Sequence, residues 1–469
     1  MNRNNYPLHI ALAIILILIA ALAGQFRKLQ KAARSSVQII PAASDGSVVY
    51  DQDEVDQTRE SNAPEVLVKF RPGVSQEAIN RITRQLNDRV EDEIESVPGL
   101  AAIDDLDNME AEAIVAEYRA LPEVEYAEPS YEIRLDHAGG GFKHLHPNDP
   151  RFMEQWALAN DGRNGGKEGA DIGAMRAWVT TTGSDDIVIA VLDSGVDYTH
   201  TDLLNNIWIR PASVEQYEDH ELGSIDDVHG YNALENAGDP MDDNGHGTHC
   251  AGIIGAEGGN NIGISGVNWK VKIMPLKFMN ADGYGTTKEA IEAINYVIDR
   301  KRAGVNVRVI SASWGSRMRS RALEDVIRKA YENDILFVAA SGNSSANTDR
   351  APQYPAGYNI GNVISVAALN RKDELASFSN YGPKSVHLAA PGAEILSTWL
   401  GNEYEERSGT SMATPVVAGV AGLVLSKRPN LSVDELRSVL LKSVDKIPAL
   451  NGKTSTGGRI SAAKAVGAD

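Results

Sequence analysis

Beyond Pro147 the chain alternates short apolar runs with amphipathic stretches, and this alternation restricts the fold more than any other feature. The runs are Ile187 to Leu192 (IVIAVL), Lys272 to Leu276, Val307 to Ser311, Ile335 to Ala340 and Val363 to Ala367. They are rich in β-branched residues and bounded by Gly, Asn or Asp. Such runs suit strands buried on both faces of a parallel sheet. Between and after them, Lys288 to Asp299, Leu323 to Asn333, Ser411 to Ser426 and Val433 to Val444 read as helices. The pattern predicts an α/β, doubly wound, mainly parallel sheet over 147–469, with functional groups at the carboxyl ends of its strands.

A chain of 469 residues is too long for one ordinary core, and a second unit is expected upstream. Glu65 to Phe70 (EVLVKF) alternates like a strand, and Ser75 to Asn87 sets Ala78, Ile79, Ile82 and Leu86 on one helical face. Met109 to Leu121 reads as a second helix, with Ala113, Ile114, Ala116 and Tyr118 toward the core, and Val124 to Ile133 as a closing strand. If Ile94 to Ile103 supplies two central strands, the order is βαββαβ, a small α+β, ferredoxin-like domain over 64–135.

Residues 25–63 read as a polar, acidic linker, and 136–146 as a Gly- and His-rich hinge of the kind where proteolytic nicking concentrates. His137, His144 and His146 in that hinge lack a defined metal-partner set and read as solvated. Ile10 to Gly24 is an apolar run of signal-peptide length, with Ala21-Leu22-Ala23 as a small-x-small cleavage pattern. Arg27, Lys28, Lys31 and Arg34 follow it, a flank that positive-inside reasoning would keep cytoplasmic. The expectation is export to a secreted or periplasmic location, with residues 1–24 removed or with 8–24 kept as a membrane anchor.

The net charge of −19 argues against nucleic acid as a partner, because phosphates need a basic surface. The single cysteine, Cys250, excludes an intrachain disulfide and reads as a buried packing thiol.

Four local patterns carry chemistry. Asp193 ends the run IVIAVL, where a carboxylate can accept the Nδ1–H of a histidine. His246 stands between glycines in DDNGHGTHCAG, which leaves its imidazole open as a general base. His249 lies three residues on, but no HExxH motif or thiol cluster supports zinc. Ser411, in SGTSMATP, sits at a helix start beside backbone N–H groups, and Pro415 reads as part of the first turn. Asn343, in ASGNS, follows a strand and could donate to a developing oxyanion together with the Ser411 N–H. Taken singly, each also fits a cap or an ordinary turn.

Together, VLDSGVDYTHTDL, NGHGTHCAG, ASGN and GTSMATP resemble the four signatures of subtilisin-like serine proteases, in that family's order of Asp, His and Ser. The resemblance covers Pro147 to the C-terminus, and residues 64–134 look like the family's inhibitory propeptide. It implies a serine endopeptidase with Ser411 as nucleophile, His246 as base, Asp193 orienting it and Asn343 in the oxyanion hole. It further implies polypeptide substrates, self-processing between about residues 134 and 147, and a monomer inhibited by its own propeptide. Gly283-Tyr284-Gly285 and Ser313-Trp314-Gly315 resemble the edge segments that clamp an extended substrate. Ala340, Ser341 and Gly342 would form a small, uncharged P1 pocket of broad specificity. Asp149, Asp202, Asn260, Ile262 and Ile264 resemble the family's strong Ca²⁺ site, and Asp239, Asp242 and Asp243 suggest a second. A peptide-binding pseudoprotease is the alternative. An α/β-hydrolase lipase is excluded by the lack of Gly-x-Ser-x-Gly.

Overall fold

A computed structural model describes residues 66–130 (apart from 95, 107, 108 and 110), 144–219 and 223–468. The apolar N-terminal run, the linker and most of the hinge, including His137, lie outside the described residues. The chain divides into two compact units.

The first unit runs β1 (Val66–Phe70), α1 (Gln76–Gln85), β2 (Asp88–Glu93), β3 (Leu100–Asp105), α2 (Ala111–Arg119) and β4 (Val124–Pro129). Its strands pair antiparallel in the order β2-β3-β1-β4, the ferredoxin-like arrangement expected. Two details differ. One of the strands sought in Ile94 to Ile103 is instead Asp88–Glu93, at the sheet edge. Its acidic, mostly exposed side chains carry no apolar alternation, and charge on an edge strand discourages pairing with other chains. In α2 the buried residues are Ile114, Val115 and Tyr118, while Ala113 and Ala116 are exposed. Positions i, i+1 and i+4 share one helical face, and the larger side chains take it.

The second unit is built on one nine-stranded sheet. Its elements begin with α3 (Ala174–Trp178) and β5 (Gly183–Asp193), followed by a small hairpin of β6 (Tyr217–Asp219) and β7 (Gly223–Ile225). Then come β8 (Tyr231–Asn232), α4 (His246–Gly255), β9 (Lys270–Lys277), α5 (Thr287–Arg302), β10 (Val307–Ala312), α6 (Arg321–Glu332) and β11 (Leu336–Ala340). The C-terminal part adds β12 (Val363–Leu369), β13 (Leu388–Pro391), β14 (Ile395–Trp399), β15 (Glu403–Arg407), α7 (Thr410–Lys427), α8 (Val433–Lys442), β16 (Val444–Lys446), β17 (Gly458–Ile460) and α9 (Ala462–Val466).

The order in the sheet is β16-β17-β13-β12-β11-β10-β5-β9-β8, parallel except where β16 meets β17. Alternation along β5 fixes its two faces. Ile187, Ile189 and Val191 enter the core shared with α4 and α7, whereas Val188, Ala190 and Leu192 pack with α5 and α6. Each fully buried Val, Leu or Ile side chain among them contributes about 1.5–3 kcal/mol. The apolar α7, almost wholly buried, is the central helix of the first of these cores. Leu145 is also buried there and its N–H bonds Met175, so packing of this unit begins a little before Pro147.

Candidate active site

Asp193 is the last residue of β5 and is buried. Its Oδ1 accepts the Ser194 N–H at 2.8 Å and lies 2.6 Å from His246 Nδ1. His246 opens α4, whose first turn is anchored by a carboxylate that sequence reasoning assigns to a second cation site. Asp242 accepts from Ser194 Oγ at 2.9 Å, Gly245 N–H at 3.1 Å, Thr248 N–H at 3.0 Å and Thr248 Oγ1 at 2.6 Å. It thereby staples the turn after Asp193 to the first turn of α4, where the helix dipole favours negative charge. Asp243 meets Lys277 Nζ at 2.6 Å and Asp239 accepts from Tyr198 at 3.0 Å, so each of the three acids has a partner within the protein.

Donation of Nδ1–H to Asp193 leaves His246 Nε2 as the acceptor. Burial works to lower the pKa of this imidazole, but the charge of Asp193 and its hydrogen bond, with Asp242 behind, outweigh burial and hold it above the usual histidine value. The ring keeps 33% exposure, so Nε2 remains reachable. His249, by contrast, is buried with Nε2 between the carbonyls of Ile395 and Glu405, and burial drives its pKa down to about 4. Cys250 is buried within 4.8 Å of the Asp193 and His246 side-chain atoms, and burial pushes its thiol well up, which keeps it neutral.

Ser411 is the second residue of α7. Because the helix begins at Thr410, Pro415 falls in its second turn and not in the first. Pro415 lacks the N–H that would bond the Ser411 carbonyl four residues earlier. That carbonyl instead accepts from Ser313 Oγ at 2.8 Å and the Cys250 thiol at 3.6 Å. In return, Ser411 Oγ donates to the Ser313 carbonyl at 2.8 Å rather than to His246. One χ1 step redirects a serine hydroxyl, and catalytic hydrogen bonds commonly close only when substrate is present.

Asn343 follows β11 and is exposed. Its Oδ1 accepts both the N–H and the Oγ1–H of Thr410, at 2.8 and 2.9 Å, which fixes the amide so that Nδ2 faces outward. A Cβ on Gly409 would lie 3.4 Å from Asn343 Nδ2 and 3.5 Å from the Ser411 nitrogen. The Asn343 amide nitrogen and the Ser411 backbone nitrogen thus lie close to one point beside Gly409, with Met412 Sδ 3.7 Å from it.

A model of the subtilase family (Peptidase S8) matches residues 184–463, and one of the fervidolysin N-terminal prodomain matches 60–130. The chain belongs to the subtilase family. It is similar to the thermophilic serine proteinase of Bacillus sp. (strain AK1), 34% identical over 404 residues, which cover 86% of this chain and 87% of that one. Thermitase of Thermoactinomyces vulgaris is 36% identical over 320 residues, 68% of this chain and 99% of thermitase. A solved protease from Pseudoalteromonas arctica PAMC 21717 superposes with a TM-score of 0.56 at 29% identity, covering 69% of this chain and 99% of that one. This chain is thus a subtilisin-like serine protease with an N-terminal prodomain.

The residues that resemble the family's substrate-clamping segments divide by what they expose. Gly283, Tyr284, Gly285 and Gly315 are exposed, Tyr284 at 74%. Asn280 engages both main-chain groups of Tyr284, and its carbonyl accepts the Gly283 N–H at 2.9 Å. Trp314 is half-buried, its Nε1 bonded to the Leu192 carbonyl and its ring 4.9 Å from Phe278. Ser313, Ala340 and Ser341 are buried, and the Ser313 side chain is tied to Ser411. These three can offer a substrate little beyond main chain. Sequence reasoning missed Gln353, whose amide approaches both walls. A Cβ on Gly315 would be 2.8 Å from its Nε2, and one on Gly342 3.4 Å from its Cδ.

The five residues matched to the family's Ca²⁺ site come together. Asp149 accepts from Gly259 N–H at 2.9 Å and Asn260 N–H at 3.1 Å. Asp202 accepts from Asn260 Nδ2 at 2.9 Å, Ile264 N–H at 3.0 Å and Tyr404 OH at 3.1 Å. The Ile262 N–H bonds Asn260 Oδ1 at 2.7 Å. Burial raises the Asp149 carboxyl to about 7 and that of Asp202 to about 6. Neither carboxylate pairs with a Lys or Arg among the described residues. Two desolvated carboxylates beside an amide, without a basic partner, form a donor set that fits a hard cation.

Proposed function

We propose that this subtilase is an exported endopeptidase that frees itself from its prodomain and cuts polypeptides through an acyl-enzyme on Ser411. In this reading Ser411 Oγ attacks the scissile carbonyl while His246 Nε2 takes its proton, and Asp193 holds the imidazole in that tautomer. Asn343 Nδ2 and the Ser411 N–H receive the oxyanion. The proton then passes from His246 to the leaving amine, and water attacking with the same base releases the acyl group. The observation that carries this reading is the 2.6 Å Asp193–His246 bond, with the Asn343 amide nitrogen and the Ser411 backbone nitrogen close to one point beside Gly409. A fluorophosphonate should label the purified protein at Ser411 alone and abolish peptide hydrolysis. An unlabelled, folded protein would favour the peptide-binding pseudoprotease.

Export rests on the run Ile10 to Gly24. Self-processing would cleave the chain between about 134 and 147, in the stretch that joins the prodomain to the protease. N-terminal mass spectrometry of the purified protein tests both. Small, uncharged pocket walls support broad specificity among uncharged P1 residues, with Gln353 disfavouring the largest. Gln353→Gly should raise kcat/KM for Phe at P1 about tenfold relative to Ala at P1, and an unchanged ratio in a P1 peptide series would remove Gln353 from the pocket.

Asp149, Asp202, Asn260 and the carbonyls of Ile262 and Ile264 would hold a structural Ca²⁺, which when bound supplies the missing positive charge. At an ion concentration of 100 Kd it would contribute about 2.7 kcal/mol. Chelation should therefore lower the unfolding temperature of the wild type, and Asp202→Asn should lose that response. A chelator-insensitive wild type would refute the site.

A further inference from the structure

We infer that Asn380 is a positioning residue for the oxyanion donor, acting through the loop that carries Asn343. This rests on the proposed role of Asn343. The loop leaves β11 at Ala340 and turns sharply at Gly342, where φ is +102°. Thr410, at the start of α7, fixes the Asn343 side-chain amide and accepts the Gly342 N–H at 3.1 Å, which leaves the main chain of Ser341 and of Ser344 to Ala346 to be held from elsewhere.

Asn380 is 2% exposed and grips both shoulders of that apex. Before Asn343, Asn380 Nδ2 donates to the Ser341 carbonyl at 2.8 Å, and the Asn380 N–H donates to the Gly342 carbonyl at 2.8 Å. After it, Asn380 Oδ1 accepts from the Ser344 N–H at 3.0 Å and the Ala346 N–H at 2.9 Å. One amide thus uses both ends to bridge residues on either side of the proposed donor. The contact is close, since a Cβ on Gly342 would lie 2.4 Å from Asn380 Nδ2. Main-chain bonds extend the zipper, with Ser345 N–H to the Phe378 carbonyl at 2.8 Å and Tyr381 N–H to the Ala346 carbonyl at 3.0 Å.

A donor aimed at a developing charge contributes in proportion to its placement, and an error of about 1 Å can cost about 10²-fold. Asn380 touches neither the Ser411 hydroxyl nor the spot where the oxyanion would form. Its influence on the chemical step would pass through Asn343 and read out in kcat, whereas an influence through its bonds to Ser341 and Gly342 in the proposed P1 wall would read out in KM.

The test is a double-mutant cycle on mature enzyme, with rates normalised to sites titrated by fluorophosphonate. Asn380→Ala should lower kcat about tenfold or more while KM stays within about threefold. In an Asn343→Ala background the same substitution should cost less than about twofold. Equal losses in both backgrounds, or a loss confined to KM, would overturn the inference. If Asn343→Ala alone costs no kcat, the oxyanion reading itself fails. If it does and Asn380→Ala does not, only the role of Asn380 fails. Asn380→Ser, which keeps a short polar side chain, is carried through the same cycle. Failure of both Asn380 variants to fold would assign the residue to stability and overturn the inference as well.

Discussion

Ser411→Ala should leave the chain at full precursor length and cut peptide hydrolysis on the order of 10⁶-fold, the magnitude that loss of the nucleophile has in subtilisin, the family's namesake. The geometry gives the physical reason. Ser411 carries the hydroxyl beside both proposed oxyanion donors, and the neighbouring thiol of Cys250 is buried and held neutral. No second nucleophile therefore stands ready in its place. The lost hydroxyl also gives up its bond to the Ser313 carbonyl, but the reverse bond from Ser313 Oγ to the Ser411 carbonyl survives. The fold should persist, so an unfolding temperature near that of the wild type separates lost chemistry from lost structure. Shortening of the variant in a protease-free preparation would contradict self-processing.

Asp193→Asn should lower kcat by about 10⁴-fold with little change in shape. An amide in place of the carboxylate can present N–H to His246 Nδ1, which moves the ring proton to Nε2 and removes the acceptor that Ser411 needs. The residual activity should also change its pH dependence. In the wild type the charge of Asp193 overrides burial and holds the imidazole above its usual value. The base works only when neutral, so activity climbs as pH rises through that elevated pKa. Without the carboxylate, burial prevails and the proton leaves at lower pH. The acid limb of kcat/KM should therefore shift downward even as the rate falls. A limb that stays in place or moves upward would show that Asp193 does not set the titration of His246.

The parts legible in the sequence were those written locally. The IVIAVL stretch of β5 and the whole of β11 are uninterrupted apolar runs, and Asp193, His246, Asn343 and Ser411 each stand in a compact motif. What stayed hidden acts at a distance or without apolar pattern. Strand β2 is acidic and marginal to its sheet, so periodicity carried no trace of it. Asp242 reads in the sequence as part of a second cation site, yet four of its hydrogen bonds join the turn after Asp193 to α4. Lys277 donates to the Ser194 carbonyl at 2.8 Å from the end of β9, 83 positions away. Gln353 and Asn380 likewise meet the groove and its loop only after the chain has folded back. Such residues have no local signature, because their meaning lies in a hydrogen-bond partner that spacing alone does not reveal.

The proline that breaks the ladder of α7 has a mechanical consequence. It detaches one carbonyl from the helix, and Ser313 takes it up. The segment after β10 that would clamp a peptide and the residue that would attack it thus share two bonds, of which the one from Ser313 Oγ persists when the Ser411 hydroxyl turns to His246. Clamp and nucleophile are therefore geared together. A push on either is transmitted to the other, and grip cannot be retuned at Ser313 without also disturbing the aim of the attack.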